Sequence, residues 1–195
     1  MTYEAFLDWL DEDTRAEWVG GRVQVTSPAS MRHQQLAHLL TTLLDTYVRR
    51  HDLGVVLCAP FQCKLGPDLP GREPDVLVVL RDQLDRLHPI WLDGCPGVVV
   101  EVTSPESAAR DRGEKYLEYE RGGALEYWLV DPERQEAVFH VRSAGGRFHA
   151  RSQSADGTFD SVALPGLSLR VDWLWADPLP DAASLALEIA RGEGR

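Results

Sequence analysis

Apolar and polar positions follow two different periods along the chain, and together they predict helices interleaved with strands. Leucines at helical spacing between residues 30 and 50, among them Leu36, Leu40 and Leu43, form the apolar stripe of a long amphipathic helix. Further helices are predicted at 3–10, 104–121 and 182–190. Valine-rich runs bounded by turn residues predict strands at 17–25 (a hairpin that turns at Gly20-Gly21), 55–65, 75–80, 97–103, 126–131 and 137–141. This order predicts an α/β or α+β domain, in which a mixed sheet is covered by helices.

Length and composition indicate one domain with a sizeable core. The chain has 195 residues, of which 44% are hydrophobic. We expect a single domain at residues 1–175, beginning with the short helix and the hairpin, and a C-terminal helical extension at 176–195. No apolar run approaches the ~18 residues that a membrane span needs. The N-terminus also lacks the basic start and apolar stretch of a signal peptide, so we expect a cytoplasmic protein.

The charge and the cysteines exclude some classes of function. A net charge of −11 counts against a protein that binds nucleic acid non-specifically, because contacts to phosphates need lysine and arginine. It does not exclude a nuclease, since an acidic site loses charge when it takes up a metal. Three cysteines without CxxC spacing, Cys58, Cys63 and Cys95, are predicted to be buried thiols rather than zinc ligands.

Two carboxylates stand in apolar strand segments. Asp75 follows Pro74 at the start of one predicted strand, and Glu101 interrupts the valines of another. A carboxylate is costly to bury without a partner. On neighbouring strands, the two would form a site for Mg²⁺ or Mn²⁺, and the backbone carbonyl of Val102 could add a third oxygen ligand. The alternative is a strand-end glutamate paired with an arginine, beside an aspartate that only starts a strand or holds a turn.

A lysine follows on the next predicted helix. Asp111, Lys115 and Tyr119 are four residues apart and therefore share one helix face. If that face meets the end of the sheet, Lys115 can orient or deprotonate a metal-bound water, or stabilise charge on a phosphate. The alternative is an ordinary surface pair between Asp111 and Lys115. Two acids and a lysine around one metal are the chemistry of phosphodiester cleavage.

Glu17 and His33 are further polar candidates. His33 shares the apolar stripe of its helix with Leu36 and Leu40, so its side chain is expected to point inward. A core or helix-start histidine is the more common reading of such a position. The chain has no Walker loop, GxGxxG, HExxH or GxSxG motif, which leaves the acidic constellation as its candidate for chemistry.

Four ordered motifs resemble those of the Uma family of putative restriction endonucleases. They are Pro74-Asp75, Glu101-Val-Thr-Ser-Pro105, Asp111-x3-Lys115-x3-Tyr119 and Glu126-Tyr-Trp-Leu-Val-Asp-Pro132. The resemblance spans residues 3–171. It implies a PD-(D/E)xK nuclease, with a restriction-endonuclease-like mixed β-sheet flanked by helices.

The resemblance also implies roles for individual residues. Asp75 and Glu101 would be the metal-binding acids, and Lys115 would replace the motif lysine, because Thr103 stands where that lysine normally sits. The auxiliary and supporting residues would be Glu17, His33, Asp111 and Tyr119.

The resulting hypothesis is an endonuclease that depends on Mg²⁺ or Mn²⁺ and hydrolyses DNA. Two alternatives remain open. One is a catalytically inactive, nuclease-like interaction module, which the acidic charge and Thr103 favour. The other is a metal-dependent hydrolase of RNA or another phosphodiester. Because many nucleases cut both strands as symmetric pairs, we also expect a homodimer.

Overall fold

A computed structural model describes residues 1–11, 14–25 and 28–191 of the chain. The helices are α1 (Tyr3–Trp9), α2 (Met31–Arg50), α3 (Ala108–Arg110), α4 (Tyr116–Gly122) and α5 (Ala182–Arg191). A π-helical turn, Asp111–Lys115, joins α3 to α4. The strands are β1 (Ala16–Val19), β2 (Arg22–Val25), β3 (Gly54–Cys58), β4 (Gln62–Lys64), β5 (Gly71–Arg72), β6 (Val76–Leu80), β7 (Trp91–Asp93), β8 (Val98–Val102), β9 (Glu126–Asp131), β10 (Glu136–Arg142), β11 (Phe148–Arg151), β12 (Thr158–Asp160) and β13 (Ser168–Arg170).

The main sheet has six strands in the order β11-β10-β9-β8-β6-β3. β8 and β9 run parallel, and the other neighbours are antiparallel, so the sheet is mixed as predicted. Side chains alternate across β8: Val98 and Val100 pack into the core with α2, whereas Val99 packs on the opposite face with Tyr119. Burial of both faces explains why the central strands are almost continuously apolar.

A second sheet holds the N-terminal part of the chain. Its order is β2-β1-β5-β4-β7, with the predicted hairpin at one edge. Tyr3 and Phe6 of α1 pack with Ala16 in a small core of their own. The hairpin therefore places residue 17 of β1 inside the molecule, next to β5.

Three predictions, about a strand, a helix start and a cysteine, were wrong. Residues 55–65 do not form one strand. The strand is interrupted at Ala59-Pro60, and β3 and β4 lie in different sheets. Proline has no N–H to give to a sheet ladder, which explains the break.

The first helical residue after Glu101 is Ala108 rather than Ser104, because Ser104 and Ser107 form a preceding turn. In that turn, the hydroxyl of each serine accepts a hydrogen bond from the backbone N–H of the other. Cys58 is exposed, whereas Cys63 and Cys95 are buried as predicted.

The last helix belongs to the main core. Leu185, Ala186 and Ile189 of α5 pack into the same apolar cluster as the leucines of α2. The division of the chain at residue 175 stays a prediction. In the described part of the chain, no helix has both the length and the apolar character needed to cross a membrane.

Candidate active site

Asp75 and Glu101 lie at one end of two adjacent strands. β6 and β8 are antiparallel with Val76 opposite Val100, so Asp75 and Glu101 occupy the next position of the same register. Oδ2 of Asp75 accepts a hydrogen bond from the N–H of Val102 at 2.8 Å. The same oxygen lies 3.1 Å from Nε2 of His33 on α2. Strand pairing and these two contacts hold the Asp75 carboxylate beside β8.

Lys115 is surrounded by three carboxylates. Its Nζ lies 2.8 Å from Oε1 of Glu101, 3.2 Å from Oε1 of Glu17 and 3.5 Å from Oδ1 of Asp111. Tyr119 donates a hydrogen bond of 3.0 Å to the same oxygen of Glu101. The contact with Glu101 is a hydrogen bond, and the carboxylates of Glu17 and Asp111 lie within ion-pair distance of the same ammonium group. π-helical turns such as the one that carries Asp111 and Lys115 are frequent at functional sites.

A buried arginine holds Glu17, and the sequence analysis did not identify it. Arg72 of β5 is fully buried, with Nη1 2.8 Å from Oε2 of Glu17 and Nη2 2.7 Å from Oε2 of Glu118. One residue further, Glu73 is also buried and pairs with Arg15 at 3.0 Å. Both residues follow a segment that is predicted to be a loop, and no periodic pattern of apolar residues surrounds them. The local sequence therefore did not predict that they are buried at the site.

Burial and neighbouring charges shift the pKa values of these groups in different directions. Burial raises the pKa of Glu101 to about 8 against the opposing effect of Lys115, and the nearby acids add to the rise. Burial would raise the pKa of Glu17 as well, but Lys115, Arg72 and Arg110 lower it to about 2. Burial would lower the pKa of Lys115, yet its three carboxylate partners raise that pKa above the ordinary range. Lys115 therefore stays charged at neutral pH, and so does Glu17.

The acids open onto a cavity of about 470 Å³. Of the candidates from sequence, Asp75, Glu101, Val102, Lys115, Glu17, His33 and Asp111 line it. Tyr119 is fully buried behind Glu101. Among the described residues the lining contains seven aspartates and glutamates but only three lysines and arginines, so the cavity attracts cations.

The oxygen atoms available at this end of the sheet fit a hard divalent cation. Both hydrogen bonds of Glu101 are accepted by Oε1, so neither engages Oε2. The carbonyl of Val102 points to the same side of β8 as its N–H, which bonds Asp75. Carboxylate and carbonyl oxygens are the ligands that Mg²⁺ prefers. With the side chains as they stand, no three His, Cys, Asp or Glu groups among the described residues are arranged around a metal position. The metal-binding roles therefore stay predictions.

Comparison with known proteins assigns the family and the fold. A family model described as Uma2, putative restriction endonuclease, matches residues 3–172. The crystal structure of a putative nuclease belonging to DUF820 from Anabaena variabilis is similar to this chain, with a TM-score of 0.74 and 15% sequence identity. The match covers 95% of this chain and 99% of that one, and it confirms the mixed-sheet nuclease fold. No curated protein matches the chain. The chain belongs to the Uma2 family of putative restriction endonucleases.

Proposed function

We propose that this protein is a DNA endonuclease that depends on Mg²⁺ or Mn²⁺. Membership of the restriction endonuclease family and the nuclease fold support hydrolysis of a nucleic acid. The observation that carries the proposal is the contact of Lys115 with Glu101, in register with Asp75 on the neighbouring strand. Thr103 occupies the motif position of the lysine, but a lysine from the adjacent π-helical turn reaches the same acid.

Asp75, Glu101 and the carbonyl of Val102 would hold the metal. When bound, Mg²⁺ or Mn²⁺ supplies a Lewis acid that activates water for attack on the phosphodiester and offsets the negative charge of the phosphate. Glu101 must give up any proton that it carries before it can bind a cation. His33 keeps the Asp75 carboxylate in place through its contact of 3.1 Å.

Lys115 serves as a fixed positive charge. Its carboxylate partners raise its pKa above the ordinary range, which favours the role of a cation over that of a general base. It stabilises the negative charge that develops during cleavage. Glu17 and Asp111 hold its ammonium group, Tyr119 holds Glu101, and Arg72 holds Glu17 from behind.

A second candidate is a nuclease-like module that binds a partner without cleaving. It is favoured by Thr103 at the lysine position and by the complete engagement of Lys115 with protein carboxylates. In this case the acids would close on Lys115 permanently, and no metal would enter. Cleavage assays distinguish the two candidates.

The test is metal-dependent cleavage of duplex DNA, single-stranded DNA and RNA by the parent and by Asp75→Asn. The exposed aspartate of the 81–86 turn supplies a matched control, Asp85→Asn. We expect duplex cleavage in Mg²⁺ or Mn²⁺ by the parent and the control, and loss of cleavage in Asp75→Asn. Equal cleavage by Asp75→Asn would overturn the proposal. Cleavage of RNA alone would change the substrate, and no cleavage of any substrate would favour the non-catalytic module.

A further inference from the structure

One cation in the wall of the cavity forms no ion pair or hydrogen bond with the described residues, although its charge helps to lower the pKa of Glu17. The basic residues among the described lining are Arg15, His33, Arg110 and Lys115. Arg15 pairs with Glu73, His33 contacts Asp75, and Lys115 is held by three carboxylates. Arg110 forms no ion pair with any described residue, although acids are the most numerous charged groups of the lining.

Arg110 is the last residue of α3 and directly precedes Asp111. The residue is half-buried, and its Nε is buried without a hydrogen-bond partner. A buried N–H that finds no acceptor destabilises the folded protein. Arg110 lines the cavity, so a ligand bound there is within the environment of its guanidinium group.

Thr103 is a second unpartnered polar group in the same wall. The residue is 2% exposed, and its Oγ1 has no hydrogen-bond partner. Strand alternation places its side chain on the same face of the chain as that of Glu101. A buried threonine whose hydroxyl bonds nothing would pack equally well as valine, so packing does not explain this hydroxyl.

The two groups share a preference for one class of ligand. A guanidinium group offers parallel N–H donors that match the oxygens of a phosphate, and a hydroxyl can donate to the same anion. Arg110 does not suit a metal ion, because its side chain is itself positive. Lys115, by contrast, lies within ion-pair distance of three carboxylates, which offset its charge.

We propose that Arg110 and Thr103 together bind a phosphate group of the substrate in this cavity. This inference rests on the proposed function for its substrate, a nucleic acid, but the binding of a phosphate anion can be measured without cleavage. Arg110 then anchors the nucleic acid, while Lys115 acts on the acids and the reacting charge.

The first experiment measures binding of inorganic phosphate, by calorimetry in Mg²⁺, to the parent, Arg110→Gln, Thr103→Val and the control Arg121→Gln. Arg121 is an exposed arginine of the same helical run, outside the cavity wall. We expect about tenfold weaker binding in Arg110→Gln, because a hydrogen-bonded charge is lost, and no change in Arg121→Gln. Thr103→Val should weaken phosphate binding, and its free energy of unfolding in urea should equal or exceed that of the parent. A hydroxyl with a structural role would instead give a less stable protein when it is removed. Absence of phosphate binding by the parent, or equal binding by Arg110→Gln, would overturn the inference.

The second experiment shows whether the phosphate belongs to DNA. A labelled duplex is titrated at several salt concentrations into proteins that also carry Glu101→Gln, so that the duplex stays intact. Removing one phosphate contact should lower the slope of log K against log salt by about 0.9 in Arg110→Gln. If phosphate binding needs Arg110 but no duplex binds, the inference stands and DNA as substrate fails. If the duplex binds with the parent slope in Arg110→Gln, the inference fails while the proposed function stands.

Discussion

Nζ of Lys115 lies 2.8 Å from Oε1 of Glu101, so the helical run after β8 places a cation against a buried acid of that strand. Glu17 of β1 and Asp111 of the same π-helical turn contact this ammonium group as well. Loss of Lys115 should therefore affect both the stability of the fold and the chemistry of the site.

Removal of the Lys115 charge should destabilise the protein. Lys115→Met leaves the buried acids Glu17 and Asp111 without their shared cation, and removal of one partner of a buried ion pair costs about 3–5 kcal/mol. Urea denaturation at neutral pH measures this loss, and cleavage should disappear with it. The destabilisation should shrink in acid, where the carboxylates become neutral. A decrease in the free energy of unfolding of less than about 1 kcal/mol would show that Lys115 contributes no more than a surface ion pair does.

Arg72 should contribute to the site through Glu17. In a double-mutant cycle of Arg72→Met and Glu17→Gln, we expect a coupling energy of about 1–3 kcal/mol, because the guanidinium group contacts the carboxylate at 2.8 Å inside the protein. The free energies of unfolding of the parent, both single variants and the double variant give this value. Additive effects would contradict the role of Arg72 as the residue that positions Glu17.

The raised pKa of Glu101 predicts a loss of stability with rising pH when metal is removed by EDTA. The folded protein keeps the proton on Glu101 up to about pH 8, whereas the unfolded chain releases it near 4.5. Between these values the unfolded state binds fewer protons, so the free energy of unfolding falls as pH rises, by at most about 1.4 kcal/mol per pH unit. Urea denaturation across this window measures the slope.

Glu101→Gln is the matched variant for that experiment, since it keeps the shape and removes the titration. Its free energy of unfolding should change less between about pH 5 and pH 8 than that of the parent. Parallel curves for the two proteins would show that Glu101 does not titrate in this window.

Glu126 should prove structural despite its burial in the middle of the sheet. Its carboxylate accepts hydrogen bonds from Trp128, Ser161 and the N–H of Ala163, and it does not line the cavity. Glu126→Gln should lower the free energy of unfolding by about 1–3 kcal/mol, because an amide nitrogen would face these donors. Metal binding and cleavage by the folded variant should remain those of the parent. A loss of metal affinity would contradict this assignment.

Periodicity predicted the parts of the molecule that are set by local sequence. The alternation of valines around Glu101, the leucine stripe of α2 and the hairpin at Gly20-Gly21 each follow from residues close in the chain, and each is present. The spacing of Asp111 and Lys115 likewise placed the lysine on a face that meets Glu101.

Contacts between distant segments were not predictable in this way. Arg72 meets Glu17 and Glu118, which are 55 and 46 residues away in sequence. β5 and β7 are too short to show a period, and their places in the second sheet depend on their neighbours. That Nε of Arg110 has no hydrogen-bond partner among the described residues is likewise a property of the assembled cavity and leaves no mark in the sequence.

The most direct test of the central claim is a calorimetric titration of Mn²⁺ into the parent, Asp75→Asn, Glu101→Gln and the control Asp85→Asn. Metal binding can be measured without knowledge of the correct DNA substrate. The account predicts binding by the parent and Asp85→Asn, and its loss in the other two variants. Binding that survives in Asp75→Asn and Glu101→Gln, or no binding by the parent, would contradict a metal site between β6 and β8.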